Sequence, residues 1–140
     1  MKQLPHKRSV ARLVLWLSII SSSHATAACY SGHPDVHSER RDSEFVILGK
    51  VVASKDVASE DDADYIGQTD YTVALLHAYK GSPGRHIKIT SVNTSTRFPM
   101  DTGKTYLLFV IRATDGSYFV DSCGNSGAAI DKRGVVAELE

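Results

Sequence analysis

The chain has 140 residues, 42% of them hydrophobic and 23% charged, and its 16 Lys and Arg balance its 16 Asp and Glu. That length holds one domain rather than two. Four of the basic residues (Lys2, Lys7, Arg8 and Arg12) and none of the acidic ones precede residue 28, so the remainder carries a net charge of −4. This argues against a nucleic-acid partner, because phosphate binding leans on an excess of Lys and Arg.

The basic start is followed by Leu13 to Ile20 (LVLWLSII) and then by Ala25-Thr26-Ala27. A charged beginning, a short apolar run and a small-x-small triplet predict a secretory signal peptide over 1–27, leaving a domain over 28–140. The alternative is an uncleaved anchor, but the apolar run is short for a bilayer crossing. After cleavage no contact with the membrane is expected. Both cysteines, Cys29 and Cys123, lie beyond the cut. Two cysteines in a small exported domain pair in an oxidising compartment, and closing so long a loop stabilises a fold by about 4 kcal/mol in the chain-entropy account. The rival is lipidation of Cys29. That signal wants a Leu-like residue three positions earlier, where Thr26 stands.

Cys29 to Glu44 is polar, with turn formers at Gly32 and Pro34, and predicts an extended arm followed by about one helical turn. Phe45 to Ala53 is the first strand, with Gly49 marking a bulge or bend. Ser54 to Gln68 is expected to be a solvated loop, because Asp56, Glu60, Asp61, Asp62 and Asp64 repel one another. A calcium site there is the sharper alternative, but the spacing does not fit an EF-hand. Thr69 to Tyr79 is the second strand, with Tyr71, Val73, Leu75, His77 and Tyr79 on one face. On that face His77 is read as a packed side chain. Arg85 to Val92 is the third strand, with Ile87 and Ile89 inward.

A polar connection runs from Asn93 to Lys104, and its Asn93-Thr94-Ser95 fits a glycosylation acceptor. Strands four and five are Tyr106 to Ile111 and Tyr118 to Val120, joined through the turn pair Asp115-Gly116. A Gly- and Ser-rich passage follows Cys123. The chain closes on a helix from about Asp131 to Leu139, with Val135, Val136 and Leu139 on one side. Val46, Ile47, Val73, Leu75, Ile87, Ile89, Leu108 and Phe119 are the expected core. Five short strands and a terminal helix predict an all-β fold, a small β-barrel of the five-stranded OB type.

Catalytic chemistry finds little footing. His33 and His37 have zinc spacing only on a helix, which Pro34 opposes, and no third ligand is evident. With the cysteines read as a bridge, no nucleophile and base pair stands out. No enzyme activity, metal or cofactor is therefore expected.

The run Phe45 to Val51, then Tyr71-Thr72-Val73, Tyr79-Lys80-Gly81, Phe98 with Gly103 to Phe109, and Asp121-Ser122-Cys123-Gly124 resembles the netrin-like domain of tissue inhibitors of metalloproteinases and their short bacterial relatives. The resemblance spans nearly the whole of 28–140. It implies an OB barrel that binds a protein partner, a zinc metalloprotease among the candidates. In the inhibitors an N-terminal cysteine chelates the protease zinc through its α-amino group and carbonyl. The chain departs from that pattern: its arm has one cysteine, and the Asn93 to Lys104 connection has none. His33-Pro34, four residues after Cys29, aligns Cys29 with the structural second cysteine, whose partner stands at Cys123. A chelating start at Cys29 itself stays open. The resemblance places the partner surface on the arm, Cys29, Tyr30, Ser31, His33 and Pro34, and on the loop acids Glu60, Asp61, Asp62 and Asp64. The competing expectation is an OB domain for carbohydrate or another ligand, in the periplasm or outside the cell.

Overall fold

The computed structural model describes Cys29 and residues 32–140, so the expected signal peptide lies outside the described residues. The elements are α1 (Val36–Asp42), β1 (Phe45–Ala58), β2 (Ile66–Lys80), β3 (His86–Val92), β4 (Thr105–Arg112), β5 (Tyr118–Val120), β6 (Gly127–Ala128) and α2 (Arg133–Leu139). The strands form one antiparallel six-stranded sheet in the order β3-β2-β1-β4-β5, with β6 also on β4. None of the described helices is long and apolar enough to cross a membrane.

The arm becomes helical sooner and for longer than expected. Asp35 caps α1 by accepting a hydrogen bond from the Ser38 N–H at 3.0 Å. At the other end the Lys80 ammonium donates to the carbonyls of Arg41 and Ser43, and Arg40 Nη2 donates to the Tyr79 carbonyl at 2.9 Å. The last carbonyls of the helix thus meet a cation from the end of β2.

The β1–β2 hairpin is longer than the sequence pattern suggests. Ser54 to Ala58 pairs with Ile66 to Tyr71, so the expected 54–68 loop shrinks to the seven residues 59–65. Asp56 belongs to the strand, where its Oδ1 accepts from the Thr69 hydroxyl at 2.8 Å. Backbone pairing and this cross-strand bond outweigh the repulsion among carboxylates that pointed to a loop. Gly49 does mark a bulge. It faces Leu75 while Leu48 faces His77, leaving Leu76 unmatched, and Tyr79 is passed over in the same way.

These extra residues shift the side-chain phase. Tyr71 and Val73 enter the core beneath β1, whereas Tyr79 packs against the cluster on the other face of the sheet. His77 is exposed rather than packed inside; its ring meets the edge of Tyr79 with centroids 4.6 Å apart.

Strand β4 is buried on both faces. Tyr106, Leu108 and Val110 join Ile47, Val73 and Ile89 on one side. Leu107 and Phe109 join Val46 on the other, under Val36 of α1 and Leu139 of α2. Val135 and Val136 pack on the same cluster, as the helix pattern implied. The outer edge of β4 pairs with β5 at one end and β6 at the other, and the Ser126 hydroxyl accepts the Phe109 N–H between them at 2.8 Å.

The β4–β5 turn is wider than a two-residue hairpin. Ala113 N–H bonds the Ser117 carbonyl at 2.8 Å, and Gly116 alone in the turn has positive φ, +86°. Phe119 is 36% exposed, which corrects its placement in the core, and Leu75 is half-buried. β5 returns beside β3, but no backbone hydrogen bond joins them among the described residues, and the sheet is not closed.

Candidate partner-binding site

The arm is held to the far end of the chain by three contacts. Cys29 and Cys123 form a disulfide with Cα atoms 5.5 Å apart. Such a bond belongs to an oxidising, non-cytoplasmic environment. The Asn125 side-chain amide donates to the Pro34 carbonyl at 2.9 Å. The Glu39 carboxylate of α1 accepts from both the backbone N–H and the side-chain amide of Asn125, each at 2.7 Å. A side chain at 124 would collide with that carboxylate, so glycine there lets helix and loop close up. The loop holds its own shape because Asp121 Oδ1 accepts the Cys123 N–H at 2.8 Å.

Between arm, α1 and this loop lies a cavity of about 500 Å³, within the usual size of ligand pockets. Cys29, Pro34, Glu39, Asp42, Ile111 and Cys123 are among its walls. A narrower cavity of about 160 Å³ lies between the end of β3 and β5. Thr96 and Asp121 line both, so that pair borders both spaces.

Thr96 belongs to the Asn93 to Lys104 connection, which is ordered by specific contacts. Phe98 N–H donates to Ser91 Oγ at 3.0 Å, and Met100 N–H to the Tyr71 hydroxyl at 3.2 Å. Asn93 reaches the other way, its amide donating to the Tyr65 hydroxyl at 3.1 Å and the Ile66 carbonyl at 3.0 Å. These are the residues at the end of the β1–β2 hairpin. The tip is shaped further by Tyr65 N–H on the Asp62 carbonyl and Asp64 N–H on Asp62 Oδ1. One turn, Asn93 to Thr96, thus links the acidic tip to the arm cavity.

Each expected site residue has a definite place apart from Tyr30 and Ser31, which lie outside the described residues. Cys29 is half-buried in the disulfide, Pro34 is exposed and lines the arm cavity, and His33 is exposed beside it in sequence. Glu60, Asp61, Asp62 and Asp64 are all exposed at the hairpin tip. Neither cavity contains both groups. Compared with known proteins, the chain matches no family model and no curated protein.

Sequence reasoning missed Glu39, Thr96, Phe119, Asp121 and Asn125 as site residues. Glu39 and Asn125 sit in polar stretches with no local signal of burial, and their meeting spans 86 residues. Asp121 was visible only as part of the Asp121-Ser122-Cys123-Gly124 run. Among the described residues no three His, Cys, Asp or Glu side chains gather as a metal-ligating group.

Proposed function

We propose that this protein is an exported, non-enzymatic binding module of the netrin-like, metalloproteinase-inhibitor type, with an OB-type barrel. Its working surface is the arm, the cavity behind it and the acidic hairpin tip. The observation that carries this reading is the anchoring of the arm by Cys123 and Asn125 beside an open cavity. A segment already fixed to the sheet loses less entropy on docking than a free tail. The return of β5 beside β3 supports the barrel, and the disulfide supports export.

If the mature chain begins at Cys29 and its partner is a zinc metalloprotease, the terminal amine and carbonyl would ligate the zinc. If Ala28 is retained, that nitrogen is an amide without a donor lone pair, and binding rests on the surface alone. The His33-Pro34 alignment and the absence of the other inhibitor cysteines favour the second case. Intact-mass measurement of the exported protein, followed by inhibition assays on metalloproteases from the same host, separates the two. A chain that starts at Cys29 yet inhibits none of them at micromolar concentration removes the inhibitor reading and leaves the binding module.

A further inference from the structure

The narrower cavity has the make-up of a receptor for one long, positively charged side chain. Its apolar walls are Val92 from β3 and Phe119 and Val120 from β5. Val92 and Phe119 are 52% and 36% exposed, so the apolar surface faces solvent. The polar lining consists of Thr and Ser groups and a single carboxylate, Asp121. Among the described residues no Lys, Arg or His lines this cavity or the larger one.

Asp121 is half-buried, and among the described residues only its Oδ1 is engaged, by the Cys123 N–H at 2.8 Å. No ion pair involves it among the described residues. Lys and Arg lay their methylene stems along apolar surface and seek acceptors for the charged head. A carboxylate beside apolar walls attracts a cation more strongly than one in open water. An apolar guest would bury the second carboxylate oxygen of Asp121 without a partner, which is costly, and an acidic guest would be repelled.

We propose that the slot between β3 and β5 receives a Lys or Arg side chain of the bound protein, whose backbone continues past Asp121 into the arm cavity. This deepens the binding-module reading and rests on it. It names the partner's chemistry as an extended segment with a basic residue, which charge complementarity to Asp121 selects.

The test uses the disulfide-bonded, ¹⁵N-labelled protein titrated with acetyl-Ala-Arg-Ala-amide and with the same tripeptide carrying citrulline, the uncharged near-isostere of arginine. The expected result is saturable movement of the Thr96, Phe119 and Asp121 amides with the arginine peptide, and binding weaker by about tenfold or more with citrulline. Asp121→Asn keeps an oxygen for the Cys123 N–H, so it should lose the arginine preference without a change in thermal midpoint. Equal binding of the two peptides, an Asn variant that binds arginine as well as the parent, or no movement at millimolar peptide would each overturn the proposal. A protein partner held equally by the parent and Asp121→Asn would also overturn it while leaving the binding module intact. Failure of the module reading looks different: the arginine peptide enters the slot, yet changes at His33 and the hairpin tip leave every protein interaction unaltered.

Discussion

The Glu39 carboxylate holds Asn125 by two hydrogen bonds of 2.7 Å, one to its backbone and one to its side chain. Asn125 in turn donates to Pro34 at 2.9 Å, so α1, the arm and the loop after Cys123 form one unit. Hydrogen bonds to a charged group contribute about 1.5–3 kcal/mol each before coupling is considered. Glu39→Ala should therefore destabilise by about 2–3 kcal/mol. Gly124→Ala should also destabilise, through its collision with the same carboxylate. Because both changes act on one contact, the double variant should lose less than the sum. Denaturant titration of the cycle checks this; strict additivity would mean that the two residues act separately.

The disulfide spans 94 residues of sequence. Replacing both Cys29 and Cys123 by Ser should lower stability by about 4 kcal/mol, or roughly 15–25 °C in Tm. The sheet should persist, since its core lies elsewhere, while Asn125 and the arm amides exchange faster with solvent. A variant that melts at the parental temperature would show that the bridge adds nothing to the fold.

Leu108 is fully buried and Phe119 is 36% exposed, although the strand pattern places both in the core. Leu108→Ala should cost about 2–5 kcal/mol. Phe119→Ala should cost less, about 1–2 kcal/mol, because about a third of its surface is already in water. Its effect should appear in ligand binding at the slot. Equilibrium unfolding of the two variants gives the comparison, and equal losses would place Phe119 back in the core.

Asp70 is pushed up by burial, but the Lys88 ammonium at 2.8 Å and hydrogen bonds from Thr90 and Gln68 outweigh this and hold its carboxyl below the ordinary range. A lowered folded value means that the ionised form favours the fold. Its contribution is fully present above the unfolded carboxylate value, about 3.9, and disappears as pH falls through the lower folded value. Asp70→Asn should thus melt below the parent by a constant margin from pH 5 to 8, about 1 kcal/mol given how exposed Lys88 is. That margin should shrink once the pH drops below about 4. A margin that grows in acid would reverse the sign of the linkage.

What the sequence determined by itself was local. β-branched and aromatic runs marked β1 to β5, Gly116 marked the turn, and Val135, Val136 and Leu139 marked the covered side of α2, because side-chain period and turn conformation act within a few residues. The expectation that Cys29 meets Cys123 came from two cysteines beyond an export signal, placed on the arm and at the end of strand five, and from the family resemblance. Tertiary structure alone decided the rest. Hairpin pairing, which depends on the opposite strand, extended β1 to Ala58 and β2 back to Ile66. Unmatched residues at Leu76 and Tyr79 changed which face of β2 is buried, a register effect that no single-strand pattern carries. Phe119 is 36% exposed on the edge of a cavity beside β3, and Glu39 is buried where Asn125, 86 residues away, meets its carboxylate. The slot and the arm cavity exist only where β3, β5, the Asn93 to Thr96 turn and the arm converge, and contacts between distant segments leave no periodic trace in the chain.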